Sequence, residues 1–394
     1  MVNDLHYDPF SPEIFEDPYP VYRRLREKAP VHRDHDGRWW VLSRFEDVWT
    51  ALRDHATYSS RSGPAPENPD DNGRKYSIIS MDPPKHDRVR GILNRLFTPR
   101  RIDLMDPTLR AIVRTYLDPL EPDSTVDAME AFAGPIPSDV IGSLLGVPQQ
   151  DQARLRELWD RFLTRSPGVA AVPEDAIDAS REITRYVGEL IAARHDDPGD
   201  DLISTVLGAT YLDEDGQETE LTEHEVQMFC NLLSAAGSET TQKLISNSLA
   251  ALNDHPDQWA RLVENPSLIP SAVDEALRYD TPSHWVARTT TRDVELHGTT
   301  IPAGDWVLLL LGSANRDERE YPDPDRFVAD RDPDRVVYFG FGRHICLGQW
   351  LARREAELVL EEIVRRFPAY EIGVRERILT ATVRGYSKLD ISLR

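Results

Sequence analysis

The chain reads FGFGRHICLG over residues 339–348, and a run with helical periodicity follows from Gln349 to Arg366. Three glycines in ten residues predict a tight loop that places Cys346 close to the N-terminus of that helix. Backbone N–H groups and the helix dipole favour a thiolate at such a position, and a thiolate is either a metal ligand or a nucleophile. A nucleophile would use His344 as its base, although two residues of separation need not bring the ring to the sulfur.

A glycine-rich loop before a helix is also typical of dinucleotide-binding sites, but the local pattern does not fit. Ile345 stands where the G-x-G-x-x-G pattern requires its third glycine. No strand followed by an acidic residue, as in a βαβ unit, surrounds the loop. The stretch therefore favours a site built around Cys346.

The composition excludes several classes of protein. The 394 residues carry 46 Lys+Arg and 68 Asp+Glu, a formal net charge of −22, so the average surface would repel nucleic acid. No apolar run approaches the roughly 18 residues that span a bilayer, and residues 1–10 lack a basic-then-apolar signal, so we expect no membrane segment. Two cysteines, Cys230 and Cys346, provide neither a disulfide framework nor a four-thiolate zinc site, which is typical of a cytoplasmic protein.

Helical periodicity dominates the chain. The spacing of apolar residues predicts helices over 19–28, 45–54, 100–117, 151–163, 173–194, 222–252 and 270–279. Extended segments are predicted within 31–43 and 289–311, and residues 321–336 read as an irregular meander. Residues 59–76 predict a long surface loop, either a lid or a linker between domains. The fold class is mainly α with a minor antiparallel β-sheet region, and we expect a single domain over residues 1–394.

Together with Leu-Ala-Arg at residues 351–353, the stretch 339–348 resembles the haem-binding loop of the cytochrome P450 family, Phe-Gly-x-Gly-x-His-x-Cys-x-Gly. The resemblance implies the cytochrome P450 fold and haem b (iron protoporphyrin IX) as cofactor. It makes Cys346 the axial thiolate ligand of the iron, a ligand that favours O–O cleavage. Phe339 and Gly340 would bind the haem, since glycines let the backbone approach the porphyrin.

The long helix predicted over 222–252 contains AAGSETT at residues 235–241. Read alone, Gly237 is a weak point in the helix and Glu239 is a surface charge. The segment resembles the family's Ala-Gly-x-Glu-Thr, where a locally opened helix makes room for O2. The resemblance implies that Thr240 donates a hydrogen bond to oxygen and that Glu239 relays protons from solvent. Because both are present, a monooxygenase is favoured over relatives that rely on peroxide.

Glu275 and Arg278 lie three residues apart on the helix predicted over 270–279. Taken alone, they would form an exposed pair worth about 0.2–0.5 kcal/mol. They match the family's Glu-x-x-Arg, and residues 324–327 match the meander segment that supplies a second arginine, Arg326, to the same carboxylate. The resemblance implies a buried structural network on the proximal side of the haem.

The two propionates of haem need cationic partners. Residues 81–90 resemble the bacterial segment in which His86 and Arg90, four residues apart, face one propionate from one side of a helix. By the same resemblance, Arg288 and His344 take the third and fourth expected positions. Read alone, His86 would be a solvent-facing residue.

The resemblance also suggests a largely apolar substrate pocket with aromatic walls. The candidate lining residues, each of which could equally be ordinary core, are Ile78, Ile79, Leu233, Ala236, Trp285, Val286 and Tyr386. The expected reaction is oxidation of a small, largely apolar organic molecule, with hydroxylation as the first expectation. The alternative is dealkylation or oxidative coupling by an oxidase or peroxygenase of the same family.

The chain has no flavin or iron–sulfur motif, so a separate ferredoxin and ferredoxin reductase are expected to supply two electrons. By family analogy, Arg95, Arg343 and Arg353 form a basic patch near the proximal face, which can steer an acidic partner despite the net charge. Two other classes stay open. A haem carrier or sensor would not need Glu239 and Thr240, and a cysteine-nucleophile hydrolase would hold no haem.

Overall fold

The computed structural model describes residues 5–66, 77–163, 172–213, 215–378, 380 and 382–394. α-Helices make up most of the regular secondary structure in these ranges. In chain order they are α1 Pro12–Glu16, α2 Tyr19–Lys28, α3 Phe45–Arg53, α4 Lys85–Asn94, α5 Pro99–Leu117, α6 Pro135–Leu144, α7 Gln149–Leu163, α8 Glu174–Asp196, α9 Leu202–Leu207, α10 Glu223–Asp254, α11 Pro256–Glu264, α12 Ile269–Tyr279, α13 Leu311–Ala314 and α14 Gln349–Arg366.

The strands are short and form small sheets. They are β1 Val31–Arg33, β2 Trp40–Leu42, β3 Tyr58–Ser59, β4 Thr125–Asp127, β5 Thr210–Leu212, β6 Glu218–Glu220, β7 Val286–Thr290, β8 Val294–Leu296, β9 Thr299–Ile301, β10 Trp306–Leu309, β11 Tyr370–Arg377 and β12 Tyr386–Leu393. One sheet has the order β1-β2-β10-β7-β3 and another β11-β12-β4, while β5–β6 and β8–β9 are hairpins. Every described pair except β2–β10 is antiparallel, which confirms the predicted fold class.

The five-stranded sheet joins the start of the chain to residues far along it. All three residues of β2 are buried, as expected for an apolar strand covered on both faces. Val41 pairs with Leu308 in the parallel β2–β10 ladder. Beside this ladder, Trp40 donates a hydrogen bond from Nε1 to Asp305 Oδ2 at 2.9 Å.

Helix α10 runs for 32 residues, or about 48 Å at 1.5 Å per residue. A capping box starts it: the Thr222 hydroxyl accepts a hydrogen bond from the Glu225 N–H at 3.3 Å, and the Glu225 carboxylate accepts one from the Thr222 N–H at 3.0 Å. The helix packs against α6 and α8, and against α12 and α14. None of the described helices, α10 included, combines the length and apolar content needed to cross a bilayer.

The sequence predicted most of the long helices but not every element. The helices predicted over 19–28 and 349–366 have the same bounds as α2 and α14. Helices α6 and α11 were not predicted, because each starts with a proline that breaks the apolar pattern. Of the predicted loop 59–76, residues 67–76 lie outside the described residues, and Ser59 belongs to β3.

Candidate haem-thiolate site

The cysteine loop folds tightly because two of its glycines adopt conformations that other residues avoid. Gly340 and Gly342 have φ of +71° and +72°. A Cβ at Gly342 would also lie 2.8 Å from the Leu52 carbonyl oxygen, so only glycine fits there. The Cys346 N–H donates to the Phe339 carbonyl at 2.9 Å, which closes the loop before α14 starts.

The electrostatic surroundings of Cys346 differ from the sequence expectation. Burial raises the pKa of its thiol, while a hydrogen bond from the Gly348 N–H and the charges of Arg90 and Arg353 act in the opposite direction. The expectation that the helix terminus would lower this pKa was therefore wrong in its net direction, because desolvation outweighs the helix terminus. A buried thiol with these partners favours the thiolate when a metal ion takes the place of the proton.

Four cationic or titratable side chains cluster beside this loop. The rings of His86 and His344 are 4.2 Å apart between centroids. Arg90 donates from Nη2 to the Ile345 carbonyl at 2.5 Å. Burial and the charges of Arg288, His86 and Arg90 lower the pKa of His344 to about 3. Burial also lowers the pKa of Arg288 to about 10. The four side chains named by the resemblance are thus brought together, and His86 is buried, which contradicts the solvent-facing position expected of it when read alone.

This cluster fits a dianionic ligand. Within the described part of the chain, Nε2 of both His86 and His344 is buried and has no hydrogen-bond partner. Unpartnered buried donors are costly, and each carboxylate brought beside them would accept their hydrogen bonds and neutralise the positive charge. The two propionates of haem have this chemistry. His86, Arg90, Arg288 and His344 are therefore the residues that would hold them, and Cys346 is the residue that would bind the iron.

Glu239 and Thr240, here called the acid–alcohol pair, lie in the middle of α10. Glu239 is buried, and the Thr240 hydroxyl donates to the Ala236 carbonyl at 2.8 Å. The helix is continuous from Glu223 to Asp254, so the local opening implied by the resemblance is absent from this described segment. Gly237 has a packing role instead: a Cβ there would lie 2.6 Å from Ile141 Cδ1 on α6.

The predicted Glu-x-x-Arg network is buried, but its second arginine was misassigned. Glu275 accepts from Arg278 Nε at 2.7 Å and Nη2 at 2.8 Å, and both side chains are 1% exposed. The second guanidinium on Glu275 belongs to Arg331, whose Nε lies 3.1 Å from Oε1. The Arg326 side chain is exposed, and this residue contributes its carbonyl oxygen, which accepts from Arg278 and Arg331. The path of the meander explains why Arg331 contacts Glu275 and Arg326 does not, since Arg326 is exposed.

The candidate pocket residues do not share one environment. Leu233 belongs to the main core cluster, and Ile79 packs against it half-buried. Ala236 is exposed although Leu233 and Glu239 on the same helix are buried, so α10 presents a small, accessible surface here. Trp285, by contrast, is fully buried in a separate cluster with the N-terminal segment, so its placement in the pocket was wrong.

The three remaining candidates, Val286, Tyr386 and Ile78, have different surroundings. Val286 packs against the cluster of the five-stranded sheet. Tyr386 belongs to the main core cluster together with Leu233, and its ring also lies under the Arg377 guanidinium, 4.1 Å from Cζ to the ring centroid, where it lines a polar cavity with Asp280. Ile78 is buried in the main core. Trp285 lies just before β7, and its neighbours in the sequence do not reveal which cluster its ring joins.

On the proximal side of the cysteine loop lie residues to which the sequence analysis assigned no role. A cavity of about 520 Å³ is lined by Cys346, Arg90 and Trp350 among others. Trp350 is 43% exposed, and the Arg353 guanidinium lies over its ring at 5.2 Å and over Phe339 at 4.6 Å. In the sequence, the aromatic side chain of Trp350 next to the cysteine motif could have indicated a role for this residue.

Known proteins match the chain along its length. The Cytochrome P450 family model matches residues 174–372. A putative cytochrome P450 123 of Mycobacterium tuberculosis (strain H37Rv) is 41% identical over 397 residues, covering 99% of this chain and 98% of its own. The vitamin D(3) 25-hydroxylase of Pseudonocardia autotrophica is 36% identical, covering 98% of this chain and 96% of its own. The crystal structure of CYP109E1 from Bacillus megaterium in complex with testosterone matches with a TM-score of 0.88 at 32% identity, covering 97% of this chain and 99% of that chain.

Fold and site together define a haem-thiolate monooxygenase. The chain belongs to the cytochrome P450 family, and haem is its cofactor. The expectations of the cytochrome P450 fold and of haem b are thereby confirmed, and the haem carrier and the cysteine hydrolase are excluded. The roles of individual residues at the site stay predictions that rest on the contacts above.

Proposed function

We propose that this enzyme hydroxylates a small, largely apolar organic molecule with electrons from a separate ferredoxin and ferredoxin reductase. The observation that carries the proposal is the accessible Ala236 surface on α10, one turn before the Thr240 hydroxyl that bonds to its carbonyl. A small side chain leaves room for a substrate, and the acid–alcohol pair stands next to it.

The residues around this surface favour an apolar substrate. Leu233 precedes Ala236 by about one turn on α10, and Ile79 packs against the same core cluster. Apolar walls with a few placed polar groups are typical of pockets that orient a hydrocarbon. The relative named a vitamin D(3) 25-hydroxylase and the CYP109E1 complex with testosterone support a steroid-sized hydrocarbon skeleton as the first substrate class to test.

The chain's own residues have separable tasks in this proposal. When bound, the haem supplies the activation of O2. Cys346 would hold the iron, and His86, Arg90, Arg288 and His344 would hold the propionates. Thr240 presents its hydroxyl to oxygen on the substrate side, and Glu239 supplies protons to that hydroxyl. We also propose that residues 1–394 act as one domain, because α10 packs against helices from both halves of the chain.

The electron donor would dock on the side of the cysteine loop opposite to α10. Arg95 is exposed at the end of α4, and Arg343 is exposed and pairs with Asp87. The Arg353 side chain is less available to a partner, because it pairs with Asp274 at 2.6 Å and is only 16% exposed, whereas that of Arg343 is 44% exposed. We therefore expect Arg95 and Arg343 to dominate the attraction of an acidic ferredoxin, because a local basic patch steers a partner even on a chain of net charge −22.

One spectroscopic experiment tests the proposal at its base. The reduced, CO-treated holoenzyme should show the haem-thiolate absorption, and Cys346→Ser should abolish it. Testosterone and vitamin D3, added as probes to the oxidised enzyme, should shift the haem spin state, and the reconstituted system should then release a hydroxylated product. A spin shift followed by dealkylated or coupled products would overturn hydroxylation while leaving the family assignment intact.

The docking site has its own test. Arg95→Glu should slow reduction by ferredoxin and weaken its salt dependence, whereas Arg181→Glu on α8, with its side chain 73% exposed, should leave both unchanged. Equal reduction rates in the two variants would remove Arg95 from the docking surface.

A further inference from the structure

Three polar residues follow one another along one face of α10. Glu239, Lys243 and Asn247 are spaced by four residues, so their side chains stack with a rise of about 6 Å per step. Their exposed fractions are 8%, 3% and 1%, although the helix runs through the core. Burying polar and charged groups costs free energy unless they are hydrogen-bonded or paired. The partners of these side chains therefore indicate what the row can do.

Lys243, the middle residue, is built into the fold as a buried ammonium group. Its Nζ donates to the Tyr386 carbonyl at 3.0 Å. The hairpin backbone passes directly over the lysine stem, because Gly385 has no side chain: a Cβ there would lie 2.6–2.7 Å from three carbons of Lys243. A lysine side chain on a helix points back toward the preceding turn, so that of Lys243 extends toward Glu239, four residues earlier on α10.

Asn247 connects the row to a cavity. Its amide nitrogen donates to the Asp280 carbonyl at 2.8 Å and to the Arg384 carbonyl at 3.1 Å. Its Oδ1 atom is buried and has no hydrogen-bond partner within the residues that the structure describes. Asn247 lines a cavity of about 400 Å³ whose rim includes the exposed residues Glu16 and Asp17. The unpartnered oxygen is thus a free acceptor on a residue that also lines this polar space.

We propose that Asn247, Lys243 and Glu239 form the proton inlet that supplies the acid–alcohol pair from this cavity. The proposal rests on the proposed function of Glu239 and Thr240. Asn247 Oδ1 holds water at the inner end of the cavity, and the Lys243 ammonium gives a proton to the Glu239 carboxylate. The resulting amine regains a proton from that water, which is restored from solvent. Each cycle moves one proton inward over about 12 Å of helix, and no electron is transferred.

Lysine variants test the inlet. Lys243→Gln keeps an N–H donor for the Tyr386 carbonyl but cannot relay a proton. In the holoenzyme it should lower product formation from O2 at least about 10-fold, raise hydrogen peroxide release per electron consumed and enlarge the solvent deuterium isotope effect. Lys243→Arg should also fail to relay, since guanidinium does not deprotonate. The matched control Lys388→Gln, at a side chain that is 42% exposed, should behave as the parent enzyme.

A second measurement does not depend on turnover. The chain has five lysines, so side-chain ¹³C labelling of lysine gives few enough NMR signals to follow Lys243 in the reduced CO complex. Glu239→Gln should shift the Lys243 signal and leave that of Lys388 in place. An unmoved Lys243 signal, or a folded Lys243→Gln enzyme with parental coupling and isotope effect, would overturn the inlet. Absence of product in the parent enzyme would instead refute the proposed function. The NMR result would still show whether Lys243 and Glu239 interact.

Discussion

Replacing Arg331 by alanine should destabilise the protein, because Arg331 belongs to the buried hydrogen-bond network around Glu275. The Arg331 side chain is 12% exposed and donates four hydrogen bonds: to Glu275 Oε1 at 3.1 Å and to the carbonyls of Pro322, Asp323 and Arg326 at 2.7, 3.2 and 3.0 Å. A typical intramolecular hydrogen bond contributes about 0.5–1.5 kcal/mol net, so the four together amount to roughly 2–4 kcal/mol after allowing for overlap among them.

This free energy converts into a measurable shift in melting temperature. At about 2.1 cal/mol/K per residue, the 394 residues give an unfolding entropy of about 0.8 kcal/mol/K. A loss of roughly 2–4 kcal/mol therefore lowers Tm by roughly 2–5 °C. Differential scanning calorimetry of the holoenzyme, with circular dichroism as a second probe, resolves such a change.

Arg326→Ala is the matched control, because it removes an exposed side chain and keeps the carbonyl that the network uses. We expect this variant to lie within about 0.5 kcal/mol of the parent. If Arg326→Ala lowered Tm as much as Arg331→Ala, or if Arg331→Ala left Tm unchanged, the assignment of the second arginine made from the contacts would be refuted.

Three further predictions concern stability. Burial holds the pKa of His284 at about 4, below the 6.5 of an exposed imidazole, so the unfolded chain binds a proton first as the pH falls. Its contribution is complete above about pH 7.5 and is lost toward pH 4, and His284→Gln should remove about 2 kcal/mol of the loss between about pH 7.5 and about pH 5 in urea unfolding. Gly237→Ala should destabilise by about 1–3 kcal/mol, although alanine is the better helix former, and Ile141→Val should recover part of this in the double variant, as urea unfolding would show. Thr222→Ala should cost about 1 kcal/mol in the same assay by removing the cap of α10, whereas Thr222→Ser keeps the hydroxyl and should stay close to the parent.

Features that depend on residues close together in the chain could be predicted from the sequence. The cysteine motif at residues 339–348 and the uninterrupted periodicity of α14 were sufficient to place Cys346 before a helix. The resemblance of residues 81–90 to the family's segment likewise placed His86 and Arg90 on one side of a helix, and residues four apart on α4 do share a face.

Features that depend on tertiary packing were not predictable in the same way. The net direction of the Cys346 pKa shift follows from burial, which depends on every segment that covers the loop. The choice of Arg331 over Arg326 follows from the path of an irregular meander with no period to read. Trp285 is apolar and follows α12, yet only the packed N-terminal segment reveals that its ring belongs to a different cluster.

The parallel pairing of β2 with β10 also bears on how the chain is made. Trp40 and its partner Asp305 are separated by 265 residues, so the first strands leave the ribosome long before the strand they must meet. At about 5–20 residues per second, the delay is roughly 13–53 s. During that time the apolar edge of β2 is without its neighbour and open to other chains. A slower translation rate would lengthen this exposure of the nascent N-terminal segment.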